Sequence, residues 1–183
     1  MASAELGVGK TIVSIVKTLV LGLGNILLQD EGAGVRVIER LQAAYTFPDD
    51  VTVLDGGTLG LDLLHVLEEA DRAVVVDAVK AGKEPGALVR LRNEEIPAFL
   101  GPKVSPHQVG LQDLLGLARL RGHFPSEVIL LGVQAERLEP GLDLSPAIAA
   151  QVEPLAARVI EEQARWGIAV RKRIDNSNRV TGT

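Results

Sequence analysis

The sequence predicts an α/β fold in three layers, a mostly parallel sheet of five strands with helices packed on both faces. Three observations carry that expectation. Short, uninterrupted apolar runs such as 18–22 and 73–76 have the pattern of strands buried on both sides. Segments with apolar residues at helical spacing alternate with them along the chain, the order of βαβ units. Several runs close on glycine, asparagine or aspartate, at the strand ends where open α/β sheets bind their ligands.

Taken in order, residues 18–22 form the first strand, which turns through Gly24 and Asn25. From Asp30 to Tyr45 the apolar residues Val35, Ile38, Leu41 and Ala44 recur at helical spacing. Residues 51–54 are a second strand, closed by Asp55-Gly56-Gly57, and residues 59–67 again have helical periodicity. Residues 73–77 are a third strand and 87–91 a fourth. Ser105-Pro106-His107-Gln108 reads as a helix start, with a serine cap, proline at the first helical position and glutamine completing a capping box. That helix is expected to stop near Gly122. Residues 128–132 form the fifth strand. Ser145-Pro146 repeats the cap-and-proline start for a last helix that ends at Gly167.

At 183 residues the chain is one domain, expected over 18–170, with an N-terminal extension at 1–17 and a polar tail at 171–183. Residues 12–16 carry enough β-propensity for an extra edge strand. With 46% hydrophobic residues the chain can bury a real core, which excludes wholesale disorder. The 19 basic and 24 acidic residues leave a net charge of −5, against a nucleic-acid partner. Absence of cysteine removes disulfides, thiolate metal ligands and cysteine nucleophiles together. No apolar run reaches the roughly 18 residues that span a bilayer, and the N-terminus lacks a signal-peptide layout. A cytoplasmic protein without a membrane partner is expected.

Some motifs point to chemistry that the surrounding residues do not support. Gly9-Lys10-Thr11 loosely resembles a phosphate-binding loop, but no strand precedes it and the residues after it favour strand over helix. Gly22-Leu23-Gly24 after a buried strand fits a dinucleotide fingerprint in part; the third glycine position is Leu27, while Asp55 supplies an acidic strand end. In His65-Val66-Leu67-Glu68-Glu69, a glutamate occupies the place of the second histidine of an inverted zinc-protease motif.

The stretch 22–35 carries the most information. Asp30 and Glu31 stand at the start of the first helix, where a carboxylate can cap and meets the positive helix end. Gly32 and Gly34 in the first turn each cost roughly 0.5–1 kcal/mol relative to alanine, which implies a close approach there. Asp77 ends the buried run Val74-Val75-Val76 and must be paired, capped or functional. His107, in the first turn of its helix, is held neutral by the helix dipole and can coordinate metal. Each has a structural reading when taken alone. Together, two carboxylates and one imidazole suit a borderline divalent metal with open coordination positions.

The motif Gly22-Leu-Gly-Asn through Asp30-Glu-Gly-x-Gly-Val35, then Asp55-Gly-Gly-Thr58, Asp77 and Ser105-Pro-His-Gln108, in that order, resembles the hydrogenase maturation endopeptidases from about Thr18 to Trp166. The extension at 1–17 is the departure, since family members usually begin almost at the first strand. The resemblance implies a twisted five-stranded sheet between helices, and a cytoplasmic protease that removes a C-terminal peptide from the nickel-loaded precursor of a [NiFe]-hydrogenase large subunit. It implies that Glu31, Asp77 and His107 bind the metal, that the nickel arrives on the precursor, and that Asp55 takes part in cleavage or substrate selection. Two mechanisms stay open. Either the ligands hold nickel as a docking handle, or the metal polarises the scissile carbonyl and activates water. The protein is expected to act as a monomer. The competing expectation is a non-proteolytic nucleotide- or metal-binding module on a Rossmann-like sheet.

Overall fold

The computed structural model describes residues 16–100 and 110–173. The strands are β1 (Thr18–Leu23), β2 (Tyr45–Thr46), β3 (Val51–Gly57), β4 (Arg72–Val79), β5 (Leu88–Arg92), β6 (Glu127–Gln134) and β7 (Arg171–Lys172). The helices are α1 (Ala33–Ala44), α2 (Leu64–Glu68), α3 (Glu95–Leu100), α4 (Leu111–Leu120), α5 (Pro146–Ala149) and α6 (Val152–Arg165). One-turn 3-10 helices over Gln29–Gly32 and Gly60–Leu63 lead into α1 and α2.

Five strands form the main sheet in the order β3-β1-β4-β6-β5. β1 runs parallel to β3 and β4, β4 runs parallel to β6, and β5 closes the edge antiparallel to β6. From β1 the chain moves outward to the edge strand β3, then crosses back over β1 to reach the central strand β4. That reversal opens a crevice beyond the strand C-termini, the usual ligand position of such sheets.

Ala73, Val74, Val75 and Val76 of β4 and Val128, Ile129, Leu130 and Leu131 of β6 are all fully buried, as a strand covered on both faces requires. Alternation sorts them into two cores. Leu19, Leu21, Val75 and Leu130 pack with Leu64 and Leu67 of α2, Ile96 of α3 and Leu114 of α4. Val20, Val74, Ile129 and Leu131 pack with Ile38 and Leu41 of α1, Ile148 of α5 and Leu155 and Val159 of α6. The three layers expected from the sequence are those observed.

Several elements differ from expectation. The last helix is two, α5 and α6, broken at Ala150 and Gln151, because Pro154 lacks an N–H and its ring would collide with a helical carbonyl four residues back. Its end is as expected: Gly167, at φ 77°, follows α6, and Ile168 N–H donates to the Gln163 carbonyl at 2.9 Å. The helix ending near Gly122 begins at Leu111, after extended Gly110, whose N–H donates to Asp113 Oδ2 at 3.1 Å. Ser105–Gln108, including His107, lies outside the described residues. The tail at 171–183 is not wholly free. β7 pairs antiparallel with β2, and Arg173 N–H donates to the Ala44 carbonyl at 2.8 Å; residues 174–183 lie outside the described residues. At the other end Lys17 already belongs to the fold, its N–H donating to Asp71 Oδ2 at 2.7 Å. Residues 1–15, with Gly9-Lys10-Thr11, most of the N-terminal extension and most of the alternative edge strand at 12–16, lie outside the described residues. Among the described residues no helix is long and apolar enough to cross a membrane.

Candidate active site

The site is built where β1 gives way to α1. Two glycines let backbone lie directly on backbone. A Cβ on Gly34 would stand 2.3 Å from the Val76 carbonyl oxygen and 2.4 Å from that of Leu23, and one on Gly24 (φ 128°) would stand 1.7 Å from the Glu31 carbonyl. No side chain fits in either gap. The first turn of α1 therefore rests on the ends of β1 and β4, which accounts for Gly34, while a Cβ on Gly32 would stand 2.9 Å from Ile26 Cα in the preceding turn.

Asp30 is not the cap of this helix. It is fully buried and reaches across to the loop after β6. Its carboxylate accepts from Glu136 N–H at 2.9 Å, Arg137 N–H at 2.7 Å, Ser145 N–H at 2.7 Å and Ser145 Oγ at 3.0 Å. Burial alone would raise its pKa, but these donors outweigh it and hold the group below its ordinary range. The Ser145 hydroxyl is thereby committed to Asp30 and does not cap α5. Backbone pairing of Gln29 N–H with the Gly141 carbonyl at 3.0 Å, and of Gly141 N–H with the Leu27 carbonyl at 2.9 Å, ties the same two loops. Gln29 adopts φ 47°, a left-handed conformation uncommon outside glycine and one that functional sites retain. These long-range ties fix the turn that presents Glu31.

Asp77 lies one step beyond the last β1–β4 pair, Gly22 with Val76, while its backbone still pairs with Gly132 of β6. Strand alternation places it on the same face as Val75 and Val79, toward α2 and α4. Glu31 and Asp77 together line a cleft of about 500 Å³, with Leu59, Leu61 and Asp62 on one lip and Leu111 and Leu114 at the back. Burial pushes the Asp77 carboxyl up to about 7; the Ala78 N–H opposes this and the charge of Glu31 adds to it. Burial also raises Glu31. Two carboxyl groups thus share one partly desolvated cleft, each disfavouring its charged form until a cation or a proton arrives.

Of the residues singled out in the sequence, the structure brings Glu31 and Asp77 together. Asp55 is exposed at the end of β3, beside Gly22 of β1, and its Oδ1 accepts from Gly57 N–H at 2.9 Å; it is not among the cleft-lining residues. His65 is exposed on α2 and also stands outside the lining. Among the described residues no group of three or more histidine, aspartate or glutamate side chains could enclose a metal. The Glu31 carbonyl packed against Gly24 already requires glycine there, so the glycine turn after β1 needs no pyrophosphate to explain it. Sequence reasoning missed Asp30's role and the leucines of the cleft lip, since both depend on contacts between distant segments.

Fold and site define an α/β enzyme with a carboxylate pair in a cleft at the C-terminal edge of a parallel sheet. The chain belongs to the hydrogenase maturation protease family, whose model matches residues 35–162. The Hydrogenase 2 maturation protease of Escherichia coli (strain K12) is 44% identical over 153 residues, covering 83% of this chain and 93% of the relative. The hydrogenase maturating endopeptidase HybD from E. coli superposes with a TM-score of 0.81 at 42% identity, over 86% of this chain and 98% of that one. The [NiFe] hydrogenase maturation protease HycI from Thermococcus kodakarensis KOD1 superposes with a TM-score of 0.66 at 25% identity, over 80% and 91%. The chain is accordingly a hydrolase, an endopeptidase of hydrogenase maturation; a non-proteolytic binding module on this sheet is not favoured.

Proposed function

We propose that this protease removes a C-terminal peptide from the precursor of a [NiFe]-hydrogenase large subunit, and that Glu31, Asp77 and His107 engage the nickel the precursor carries. The observation that supports the reading best is the pairing of Glu31 with Asp77 in the cleft, where Asp77 titrates near neutrality. A carboxyl poised near pH 7 exchanges its proton for a cation at little cost, and cation binding releases that proton. Two carboxylates are hard ligands that hold a nickel-class ion poorly without imidazole, which His107 supplies in this reading. With so few protein donors the ion brings most of its coordination with it, so nickel is a feature of the substrate here. Asp55, at the neighbouring strand end, serves cleavage or selection of the segment that follows. The protease works as a monomer in the cytoplasm.

The test is to strip the protease with a chelator, remove the chelator, and offer precursor with and without nickel. Loss of mass confined to the C-terminus of the nickel-loaded precursor alone is the expected outcome. Cleavage of nickel-free precursor by zinc-loaded protease would refute it and identify a built-in catalytic metal.

A further inference from the structure

Large apolar side chains left in water are concentrated at one end of this molecule. Among the described residues, the exposed ones are Val16, Ile26, Leu27, Leu59, Leu61, Leu120, Leu138 and Leu142. All but Val16 and Leu120 stand on the loops that follow β1, β3 and β6. Those strands are parallel, so the three loops emerge at the same edge of the sheet, the edge that holds the cleft. Leu59 and Leu61, at 54% and 48% exposure, line the cleft itself. Leu27 and Leu142 are 59% and 60% exposed on two loops that are hydrogen-bonded to each other through Leu27 and Gly141. Exposed apolar side chains gathered on one face mark an interaction surface, because each costs free energy in water that a partner recovers.

These loops are also held firmly. Asp30 ties the loop carrying Leu138 and Leu142 to the turn that presents Glu31. Gly24 N–H donates to the Gly57 carbonyl at 3.0 Å, which joins the loop carrying Leu59 to the turn after β1, so leucines and carboxylates share one frame and a chain lying across Glu31 and Asp77 also meets Leu59 and Leu61. We infer that this leucine-ringed face is the docking surface for the body of the hydrogenase large-subunit precursor, with Leu59 and Leu61 selecting an apolar side chain in the segment that enters the cleft. The inference rests on the reading of the cleft given above and adds the surface that recognises the partner.

The experiment is steady-state processing of nickel-loaded precursor by full-length protease carrying Leu59→Ser with Leu61→Ser, or Leu27→Ser with Leu142→Ser. Leu120→Ser, 84% exposed at the end of α4, is the control for removing a surface leucine elsewhere. Each double variant should raise KM at least about tenfold while kcat stays within about threefold, the signature of lost binding shared by ground and transition states. Thermal midpoints should match the wild type, since the altered side chains are solvent-exposed. Unchanged KM in both double variants, with Glu31→Gln inactive, would overturn the docking surface and leave the carboxylate site standing. Raised KM in the leucine variants with Glu31→Gln fully active would support the surface and refute the carboxylate assignment. Equal loss in Leu120→Ser would overturn the localisation. A wild-type dimer that the double variants convert to monomer at unchanged KM would identify the face as a self-interface and overturn the proposal.

Discussion

Replacing Asp77 by asparagine should make the free protease more stable at neutral and alkaline pH while ending its function. In the folded protein the carboxyl titrates at about 7, against an ordinary value of 3.8. A tenfold change in proton affinity corresponds to about 1.4 kcal/mol, so the ionised group costs the fold about 4 kcal/mol. The sign follows from linkage. Well below pH 4 the group is protonated in folded and unfolded chains alike and costs nothing. Between about 4 and 7 the unfolded chain loses its proton first, and stability falls as pH rises; above 7 the full cost is present. Between pH 5 and pH 8 wild type should lose roughly 2–3 kcal/mol relative to Asp77→Asn, which does not titrate. Urea unfolding of both proteins without metal, at the two pH values and several between, measures the difference directly. The reasoning fails if the gap between the two proteins changes by less than about 0.5 kcal/mol over that range.

Asp30 acts in the opposite sense. Its pKa is lowered, so it stabilises the fold at neutral pH and that contribution disappears as acid protonates the folded group. Asp30→Ala leaves three backbone N–H groups without their acceptor and should cost about 3–5 kcal/mol, seen as a lower denaturation midpoint. Gly34→Ala puts a methyl group 2.3 Å from the Val76 carbonyl; despite alanine's better helix propensity it should destabilise by about 1–3 kcal/mol and lower kcat by displacing Glu31. Glu31→Gln and His107→Ala should each abolish processing with far-ultraviolet circular dichroism unchanged, a pair of results that separates lost chemistry from lost structure.

The strands and the principal helices are legible in the sequence because their signals are local. Val74, Val75 and Val76 form a buried run, and Val35, Ile38 and Leu41 keep helical spacing. Glu31 and Asp77 stand out because a carboxylate at a buried strand end or glycine-rich helix start demands an explanation. Asp30 does not. Its partners lie more than a hundred residues away, and a carboxylate at a helix start satisfies a local capping rule equally well. Pro154, which suits a first turn, signals the break at Ala150 and Gln151, but the Ser145-Pro146 start gives a stronger local signal for one continuous helix. The β2–β7 pair is two residues long on each side, below what any periodicity can reveal. Leu59 and Leu61 fall in the segment 59–67 that reads as a helix, and only the 3-10 turn at Gly60–Leu63, which Leu59 precedes, leaves both lining the cleft.

The seat of α1 on the sheet has a consequence for how this enzyme can drift in sequence. Gly34 meets the opposing strands through peptide groups alone, and a Cβ on it would stand 2.4 Å or less from two carbonyl oxygens. Bond lengths and angles of peptide groups do not change when the apolar residues around them do. The spacing between Glu31 and Asp77 is thereby insulated from the interior. Leu41, Ile129 or Leu155 can trade volume with their neighbours over many generations without moving the two carboxylates, while the geometry of the pair hangs on two α-hydrogens of Gly34 that admit no substitute.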